Sequence, residues 1–272
     1  MIFSGCNKFS FFGTELNVKI QIRQGPMCTV TYIPQREEAS FILTSNRDEK
    51  EFRPTLPPEV YSYANGKLIF PKDEEAGGSW IAINDKGNIN CLLNGGLIAH
   101  QKQDHHTKSR GTVLLEFTRS ARSAQAYFSQ IDLQNVEPFT IVALKQSNGK
   151  MHDITEFIWD GENKHYRQLD IEYPFIWTSV TLYNEEQRKA KKEWFERFYK
   201  EHKKSLTKEQ IVDFHSGNYP GDNSINLITH RDDGLKTVSI TQVSMSENKT
   251  QMKYYDLLKR SVKEIELWTG SN

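Results

Sequence analysis

The sequence has few cysteines, no long apolar run and no excess of either charge. Its three cysteines, Cys6, Cys28 and Cys91, argue against a disulfide framework and for a reducing compartment. No apolar run approaches the length of a membrane span. The 35 basic and 35 acidic residues cancel, and the run from Lys189 to Lys192 is interpreted as the solvated face of a helix. We therefore expect a cytoplasmic protein that binds neither nucleic acid nor a membrane surface.

Residues 1–26 lack clear periodicity and end in Gly25-Pro26. They make a poor signal peptide, because Glu15 and Lys19 interrupt their apolar stretch. Three interpretations stay open: an extension from a start codon placed too far upstream, a short pro-segment, or an ordinary ordered arm. We favour the first, and we expect residues 27–272 to form a single domain.

The remainder of the chain has strand patterns at both ends and helix patterns between them. Runs of β-branched and aromatic residues predict a hairpin over 29–33 and 41–44, and further strands at 67–70, 79–83, 88–93, 225–229, 237–243 and 252–255. Strands at 139–144, 155–159 and 165–169 are expected in a second sheet, with another at 175–179. Helices are expected at 109–117, at 123–130, from Asn184 onward and at 206–215. This order predicts one layered α+β domain, since no linker rich in Pro, Gly or Ser divides it.

The predicted hairpin begins at Met27-Cys28 and ends in Asn46-Arg47-Asp48-Glu49. A methionine directly before a cysteine suggests that the working protein starts at Cys28, which would then supply both a thiol and a free α-amine. A thiol with a pKa near 8.5 is mostly protonated at neutral pH, whereas an amine with a pKa near 7.7–8.0 can accept its proton. The residue thus carries a nucleophile and a base. The alternative is a buried structural cysteine at a strand start.

Strand alternation divides the polar tetrapeptide between two faces. Arg47 and Glu49 should share one face, and Asn46 and Asp48 the other. We predict that Asp48 orients the amine of Cys28 and that Arg47 lies near the thiol and the substrate carbonyl. A surface salt bridge of small energetic value is the alternative.

Other polar side chains are candidates for contacts with a substrate. Asn94 precedes two glycines, so its amide either donates to a developing oxyanion or belongs to a turn. Thr178 and Ser179 could supply a weaker hydroxyl donor, with a plain strand end as the favoured alternative. Arg231 could bind a substrate carboxylate bidentately, with a solvent-exposed turn as the equal alternative. The histidine-rich segment 100–106 matches no zinc spacing, so we expect a polar loop and no metal there.

Several ordered blocks resemble the NRDE family, also called the transport-and-Golgi-organisation family. The resemblance covers nearly all of residues 27–256. It is carried by Met27-Cys28, Asn46-Arg47-Asp48-Glu49, Gly77-Gly78-Ser79-Trp80-Ile81-Ala82-Ile83, Cys91-Leu92-Leu93-Asn94 and Ser109-Arg110-Gly111.

More remotely, Met27-Cys28 and the strand ending at Asn94 resemble the cholylglycine hydrolase and penicillin V acylase group of N-terminal nucleophile hydrolases. That resemblance implies a four-layer αββα sandwich and an initiating cysteine as nucleophile. It also implies an arginine and an aspartate after the second strand, with asparagines farther on. Two departures stand out: Arg47 and Asp48 are adjacent rather than spaced, and Thr178-Ser179 stands where a second asparagine is expected.

The resemblance implies an amidohydrolase or acyltransferase that acts on a linear amide through an acyl-thioester. Such chemistry takes a small-molecule amide or acyl substrate and needs no cofactor. Some members of the family are linked to lipid and haem handling or to secretory-pathway organisation, so a non-catalytic binding protein is the alternative. Neither substrate identity nor oligomeric state follows from the sequence.

Overall fold

The structure is a computed structural model that describes residues 29–35, 40–147, 150–217, 226–246 and 249–268. The interpretation of residues 1–26 and the assignment of Cys28 lie outside the described residues. None of the helices in the described ranges is long and apolar enough to cross a membrane.

The elements follow one another as strands, helices, strands, helices and strands. The strands are β1 Thr29–Gln35, β2 Ser40–Lys50, β3 Thr55–Tyr63, β4 Gly66–Asp73, β5 Ile81–Asn84, β6 Asn88–Asn94, β7 Phe139–Ser147, β8 Lys150–Trp159, β9 Lys164–Leu169, β10 Phe175–Thr178, β11 Leu235–Ser246, β12 Lys249–Asp256 and β13 Ser261–Trp268. The helices are α1 Arg110–Ser120, α2 Ala124–Phe128, α3 Glu185–His202 and α4 Lys208–Ser216.

The strands form two sheets whose neighbouring strands are antiparallel. The first has the order β10-β1-β2-β11-β12-β13, and the second has the order β3-β4-β5-β6-β7-β8-β9. Alternate apolar residues of both sheets, such as Val30 and Leu43 from the first and Ile83 and Val142 from the second, meet in one buried cluster. Because strand side chains alternate in direction, this leaves each sheet a second face for helices.

Helices cover both outer faces. Helices α1 and α2 bury Leu114 and Phe128 against the second sheet. Helices α3 and α4 bury Phe195 and Phe214 against Ile33 and other residues of the first. The expected four-layer αββα sandwich is therefore confirmed.

Helix α3 begins where its sequence signal predicts. The Asn184 side chain accepts a hydrogen bond from the Gln187 amide, and the Gln187 side chain accepts one from the Asn184 amide. This capping box satisfies two amides that the first turn cannot pair internally. Glu185 and Glu186 in that turn complement the helix dipole. The start of α3 is therefore fixed by local interactions.

Some expectations about strands are wrong. Strands β7, β8 and β9 lie, as expected, in a sheet other than that of the hairpin, but they share it with β3–β6, because β7 pairs with β6. The strand at 175–178 joins the other sheet by pairing with β1. Where a strand was expected at 225–229, residues 226–228 form bends.

Two edge strands were missed. Strand β3 contains Pro57 and Pro58, which an edge strand tolerates at a register shift because their missing N–H groups are not needed. Strand β13 is the edge strand of the first sheet, where it pairs with β12. Apolar and charged residues alternate along part of its sequence.

The glycine pair before β5 allows two backbones to touch. A Cβ on Gly78 would lie 2.5 Å from the carbonyl carbon of Gly111 and 2.7 Å from the amide nitrogen of Thr112. The Ser79 amide donates to the Gly111 carbonyl at 3.3 Å. The entrance to α1 is therefore held against the second sheet by direct backbone contact.

Gly78→Ala should lower the free energy of unfolding by about 2–3 kcal/mol, because the new methyl group meets backbone that cannot move aside. Gly77→Ala is the matched control: its φ of +67° disfavours alanine, but no atom lies within 4 Å of the added Cβ, so about 1 kcal/mol is expected. Urea unfolding measures both. Equal losses would contradict a steric role for Gly78.

Candidate functional site

The start of β1 lies between two polar strand ends. Thr29 pairs with Thr178 of β10, and Val30 pairs with Ser45 of β2. Because β1 and β2 are antiparallel, the start of β1 lies beside the part of β2 that leads from Ser45 to Arg47. Strands β1, β2 and β10 bring Thr29 at the start of β1, the tetrapeptide and the 178–179 segment to one region of the first sheet.

Arg47 points between the two sheets. Its Nη2 donates to Asp73 Oδ2 at 2.8 Å, and its Nη1 donates to Thr55 Oγ1. The guanidinium lies 4.4 Å from the centre of the Trp80 ring and 3.6 Å from the Glu49 carboxylate. Arg47 is thus a buried, oriented cation and not a surface ion-pair partner.

No sequence pattern indicated the network around Arg47. Arg53 Nε contacts Asp73 Oδ2 at 2.9 Å and Glu49 Oε2 at 3.7 Å. Burial raises the pKa of Glu49, against the lowering effect of a hydrogen bond from the Lys50 amide and of the nearby arginines. The two arginines and two carboxylates balance each other in charge, which is how buried ions are tolerated. Asp73 comes from β4, so only the packed sandwich brings it here.

Asp48 points to the opposite face, under the helices. Thr237 Oγ1 donates to Asp48 Oδ1 at 2.5 Å, and Thr229 Oγ1 donates to Oδ2 at 3.3 Å. Burial raises the pKa of this carboxyl group, while the two hydroxyls and the charges of Lys191 and Arg231 act to lower it. The predicted division of the tetrapeptide between two faces is confirmed by these partners.

Lys191 corrects the interpretation of the basic run in α3. Lys189 and Lys192 are exposed, but Lys191 is fully buried. Its Nζ lies 3.7 Å from the centre of the Tyr183 ring and donates to the Thr29 hydroxyl at 3.5 Å. Burial lowers its pKa, and the negative charge of Asp48 opposes that shift. This lysine therefore connects Asp48 to the residue that follows Cys28.

Asn46 fixes the tautomer of a buried histidine. The Asn46 amide nitrogen donates to the carbonyls of His215 and Leu227 at 3.1 and 2.8 Å, so its oxygen faces His215 Nδ1 at 2.8 Å. Nδ1 must then carry the proton, and Nε2 accepts from Thr31 Oγ1 at 2.8 Å. Burial first, and the nearby Lys191 charge second, lower the pKa of His215 to about 3. The ring is neutral and structural.

A cavity of about 720 Å³ opens beside the end of β6 and is bordered by β8, β9, β10 and α3. Asn94 and Ser179 line it together. The Ser179 hydroxyl donates to the Asn94 carbonyl at 2.7 Å and lies 2.9 Å from Thr181 Oγ1. The structure therefore brings the asparagine and serine candidates into one pocket of the size that small-molecule ligands occupy.

The remaining candidates lie elsewhere. Arg47 and Asp48 are not among the described residues that line the cavity, and neither is Arg231, whose positive charge acts on Asp48 and Lys191. Cys91 is completely buried, and burial raises the pKa of its thiol to about 12, so it packs as a small core residue.

The histidine segment forms a polar surface loop. His100 lies 3.4 Å from Glu137, and the His105 and His106 rings contact each other. Within the described ranges, no group of three His, Cys, Asp or Glu side chains is arranged to hold a metal ion.

The neutrality of His215 has a consequence for pH dependence. Its folded pKa of about 3 lies below the unfolded value of about 6.5, so the folded state holds fewer protons on this ring. The stability that this contributes is present above pH 6.5 and is lost as the pH falls toward 3. Unfolding measurements from about pH 7.5 to about pH 5.5 should therefore show wild type losing about 1 kcal/mol more than His215→Gln. His105→Gln, at an exposed position, is the control and should behave as wild type; equal losses in all three proteins would refute the assignment.

The solved structures that are similar to this chain include the following three. Penicillin V acylase from Agrobacterium tumefaciens superimposes with a TM-score of 0.51 at 11% identity, covering 88% of this chain and 86% of that one. A mutant of the conjugated bile acid hydrolase from Clostridium perfringens gives 0.49 at 9% identity, covering 90% and 98%. The Caenorhabditis elegans ortholog of N-acylethanolamine-hydrolyzing acid amidase gives 0.47 at 12% identity, covering 79% and 92%. The likeness to penicillin V acylase supports the fold alone, which is that of the N-terminal nucleophile hydrolases.

A comparison of the sequence with curated proteins finds no match. A sequence model of the family described as "Transport and Golgi organisation 2" matches residues 27–262. That match spans the hairpin, both sheets and all four described helices. The chain therefore belongs to the Transport and Golgi organisation 2 family, and the family resemblance carried by its sequence blocks is confirmed.

Proposed function

We propose that the protein is an N-terminal cysteine amidohydrolase, or an acyltransferase, that acts on a linear amide through an acyl-thioester on Cys28. The observation that carries the proposal is the pairing of Thr29 with Thr178, next to the cavity that Asn94 and Ser179 line. Cys28 is bonded directly to Thr29. The proposed nucleophile is therefore attached to the strand that borders the pocket.

The register of β1 and β2 supports a role for Arg47. Val30 lies opposite Ser45 in this antiparallel pair, so two residues earlier in β1 correspond to two residues later in β2. The proposal accordingly sets Cys28 opposite Arg47. A buried cation there would favour the thiolate over the thiol. This role does not require Arg47 to line the cavity.

Asp48 and Lys191 support the other half of the chemistry, the α-amine. Lys191 lies within hydrogen-bond distance of the Thr29 hydroxyl, and its positive charge disfavours a second ammonium nearby. That keeps the Cys28 amine neutral and available as a base. Thr229 and Thr237 hold the Asp48 carboxylate in one orientation, where its remaining lone pairs are available to orient the amine.

The proposed reaction has two steps. The Cys28 thiol gives its proton to the α-amine, and its sulfur attacks the amide carbonyl; Asn94 and a backbone N–H stabilise the oxyanion. The C–N bond then breaks as the α-ammonium protonates the leaving amine, which leaves an acyl-thioester. In the second step water, or an acceptor amine, attacks the thioester with the amine again as base. The acyl product leaves and the thiol is restored.

A carrier function is the second candidate. Ser179 stands where the resemblance expects a second asparagine, and its hydroxyl is directed to the Asn94 carbonyl. Apolar side chains such as Ile158, Ile176 and Trp177 line the same cavity. A pocket of this kind can hold an apolar ligand without chemistry, so the protein would then bind lipid or haem on the same fold.

An alkyl β-lactone distinguishes the two functions. Attack by a thiolate opens the lactone ring, so the protein gains the full mass of the reagent as a thioester. A protein that begins at Cys28 should label once, at Cys28, with saturation kinetics. The full-length chain, in which the residue 28 amine is part of a peptide bond, should label at least about 100-fold more slowly.

The controls for this labelling are Cys28→Ala, which should remain unlabelled, and Cys91→Ala, which should label normally because Cys91 is buried. Intact mass and peptide mapping give the result. Equal labelling of both chain lengths would remove the α-amine from the mechanism. Tight, reversible binding of the lactone that survives Cys28→Ala, without acylation, would favour the carrier.

Asn94→Ala should slow acylation of Cys28 by about 100-fold to 1,000-fold, because a preorganised oxyanion donor is lost. Ser179→Ala is the matched comparison in the same cavity. It removes a hydroxyl that bonds the Asn94 carbonyl, so less than about tenfold is expected. The rate of lactone labelling measures both variants, with unfolding curves to verify the fold. A Ser179→Ala effect as large as that of Asn94→Ala would contradict the assigned oxyanion donor.

A further inference from the structure

One wall of the cavity carries a concentration of positive charge. Arg188, Lys189 and Lys192 of α3 all line it. They lie within about one turn of the helix, so their side chains project toward the same region. The capping box at Asn184 fixes where α3 starts and therefore where these cations lie. The protein has no formal net charge, which makes this local excess distinctive.

Two carboxylates, Glu156 and Glu185, also line the cavity. Glu156 is engaged by other residues, since Arg167 Nε contacts it at 2.9 Å and the Trp177 indole donates to it at 2.8 Å. Glu185 lies about one turn before Arg188 in α3. Lys192 lies 3.8 Å from Glu196 along the helix. Across the described ranges, neither Arg188 nor Lys189 has a carboxylate within 4.0 Å.

Arg188 adds a second, independent observation. Its Nε is buried and has no hydrogen-bond partner within the part of the chain that the structure describes. Buried guanidinium N–H groups are normally satisfied, so an orphan at a cavity wall indicates a missing acceptor. Arginine presents a rigid fork that suits planar anions such as carboxylates.

The cavity also has an apolar surface. Ile158, Ile176 and Trp177 contribute to it, together with Leu97 and Val180. These side chains offer no hydrogen bond to a polar ligand and favour a hydrocarbon chain. The cavity thus combines an apolar surface, a cationic wall and the Asn94–Ser179 corner.

We propose that this cavity selects anionic amphipaths: amides of medium or long acyl chains whose amine part carries a carboxylate. The acyl chain lies on Ile158, Ile176 and Trp177, the amide lies at the corner of Asn94 and Ser179, and the carboxylate is bound by the α3 cations. This substrate class rests on the proposed function, but the binding it requires does not depend on catalysis. Arg188, Lys189 and Lys192 are then specificity residues.

The test compares two probes that differ only in charge, N-dodecanoylglycine and N-dodecanoylglycinamide. Calorimetric titration of the full chain carrying Cys28→Ala prevents turnover. The acid should bind about five- to tenfold more tightly than the carboxamide, since two or more charge contacts are made. Raising the salt concentration from about 0.05 M to about 0.5 M should reduce that preference, because exposed charges are screened.

The decisive variant is Lys189→Gln combined with Lys192→Gln, which changes two exposed side chains and leaves the partly buried Arg188 in place. It should bring the preference for the acid over the carboxamide to about twofold or less. Lys200→Gln with Lys204→Gln is the matched control, since both lysines are exposed outside the cavity lining and the change in net charge is the same. The control should keep the full preference.

Three results would overturn the proposal: equal affinity for the two probes, equal loss in both double variants, or no binding of either probe. None of these results affects the acylation of Cys28 by a neutral lactone, so this proposal can fail while the proposed chemistry stands. Conversely, selective binding of the acid in a protein that the lactone never acylates would support this cavity assignment and reject the amidohydrolase.

Discussion

The architecture of the site depends on the alternation of side chains along β2. A single extended strand sends Arg47 between the sheets and Asp48 beneath the helices, so two charged groups that are neighbours in sequence occupy separate environments. Each buried charge then requires partners of its own. Arg47 receives Asp73 and Glu49 with an aromatic ring below, and Asp48 receives two hydroxyls and the charge of a buried lysine. A shift of register by one residue would exchange the two faces and leave both charges unpaired.

Buried charge of this kind is costly, and proteins keep it where specificity or chemistry requires it. Here the two charged clusters lie on the two faces of β2, while the cavity lies beside β10 at the edge of the same sheet. Helix α3 contributes side chains both to the Asp48 cluster and to the cavity. One residue of α3, Lys191, reaches inward to Asp48, and its neighbours Lys189 and Lys192 face the cavity. A single helix thus contributes both to the environment of Asp48 and to the wall of the cavity.

Local sequence signals predicted the local features well. The hairpin, the division of the tetrapeptide and the start of α3 follow from periodicity of two and from capping residues, both of which act over a few positions. The partners of the site residues could not be predicted from these local signals. Thr237 is 189 positions from Asp48, and Lys191 stands in a helix whose composition indicates a solvated face. Its burial depends on where α3 crosses the sheet, which no short-range pattern encodes. Strand β3 was missed for a related reason, since only its position at the edge of the sheet makes Pro57 and Pro58 acceptable.

The hydrogen bond from Ser179 to the Asn94 carbonyl joins the two sheets at the floor of the cavity. Asn94 ends a strand of one sheet, and Ser179 follows a strand of the other, so this bond links the two sheets at the cavity, as the Arg47–Asp73 hydrogen bond links them elsewhere. The layers cannot separate at this corner without breaking it. In the proposed arrangement, the distance from this corner to the α3 cations determines how long the amine part of a bound amide can be. Related proteins that take a longer or shorter amine part are then expected to differ in the tilt of α3, while the corner near the proposed reacting amide keeps one width.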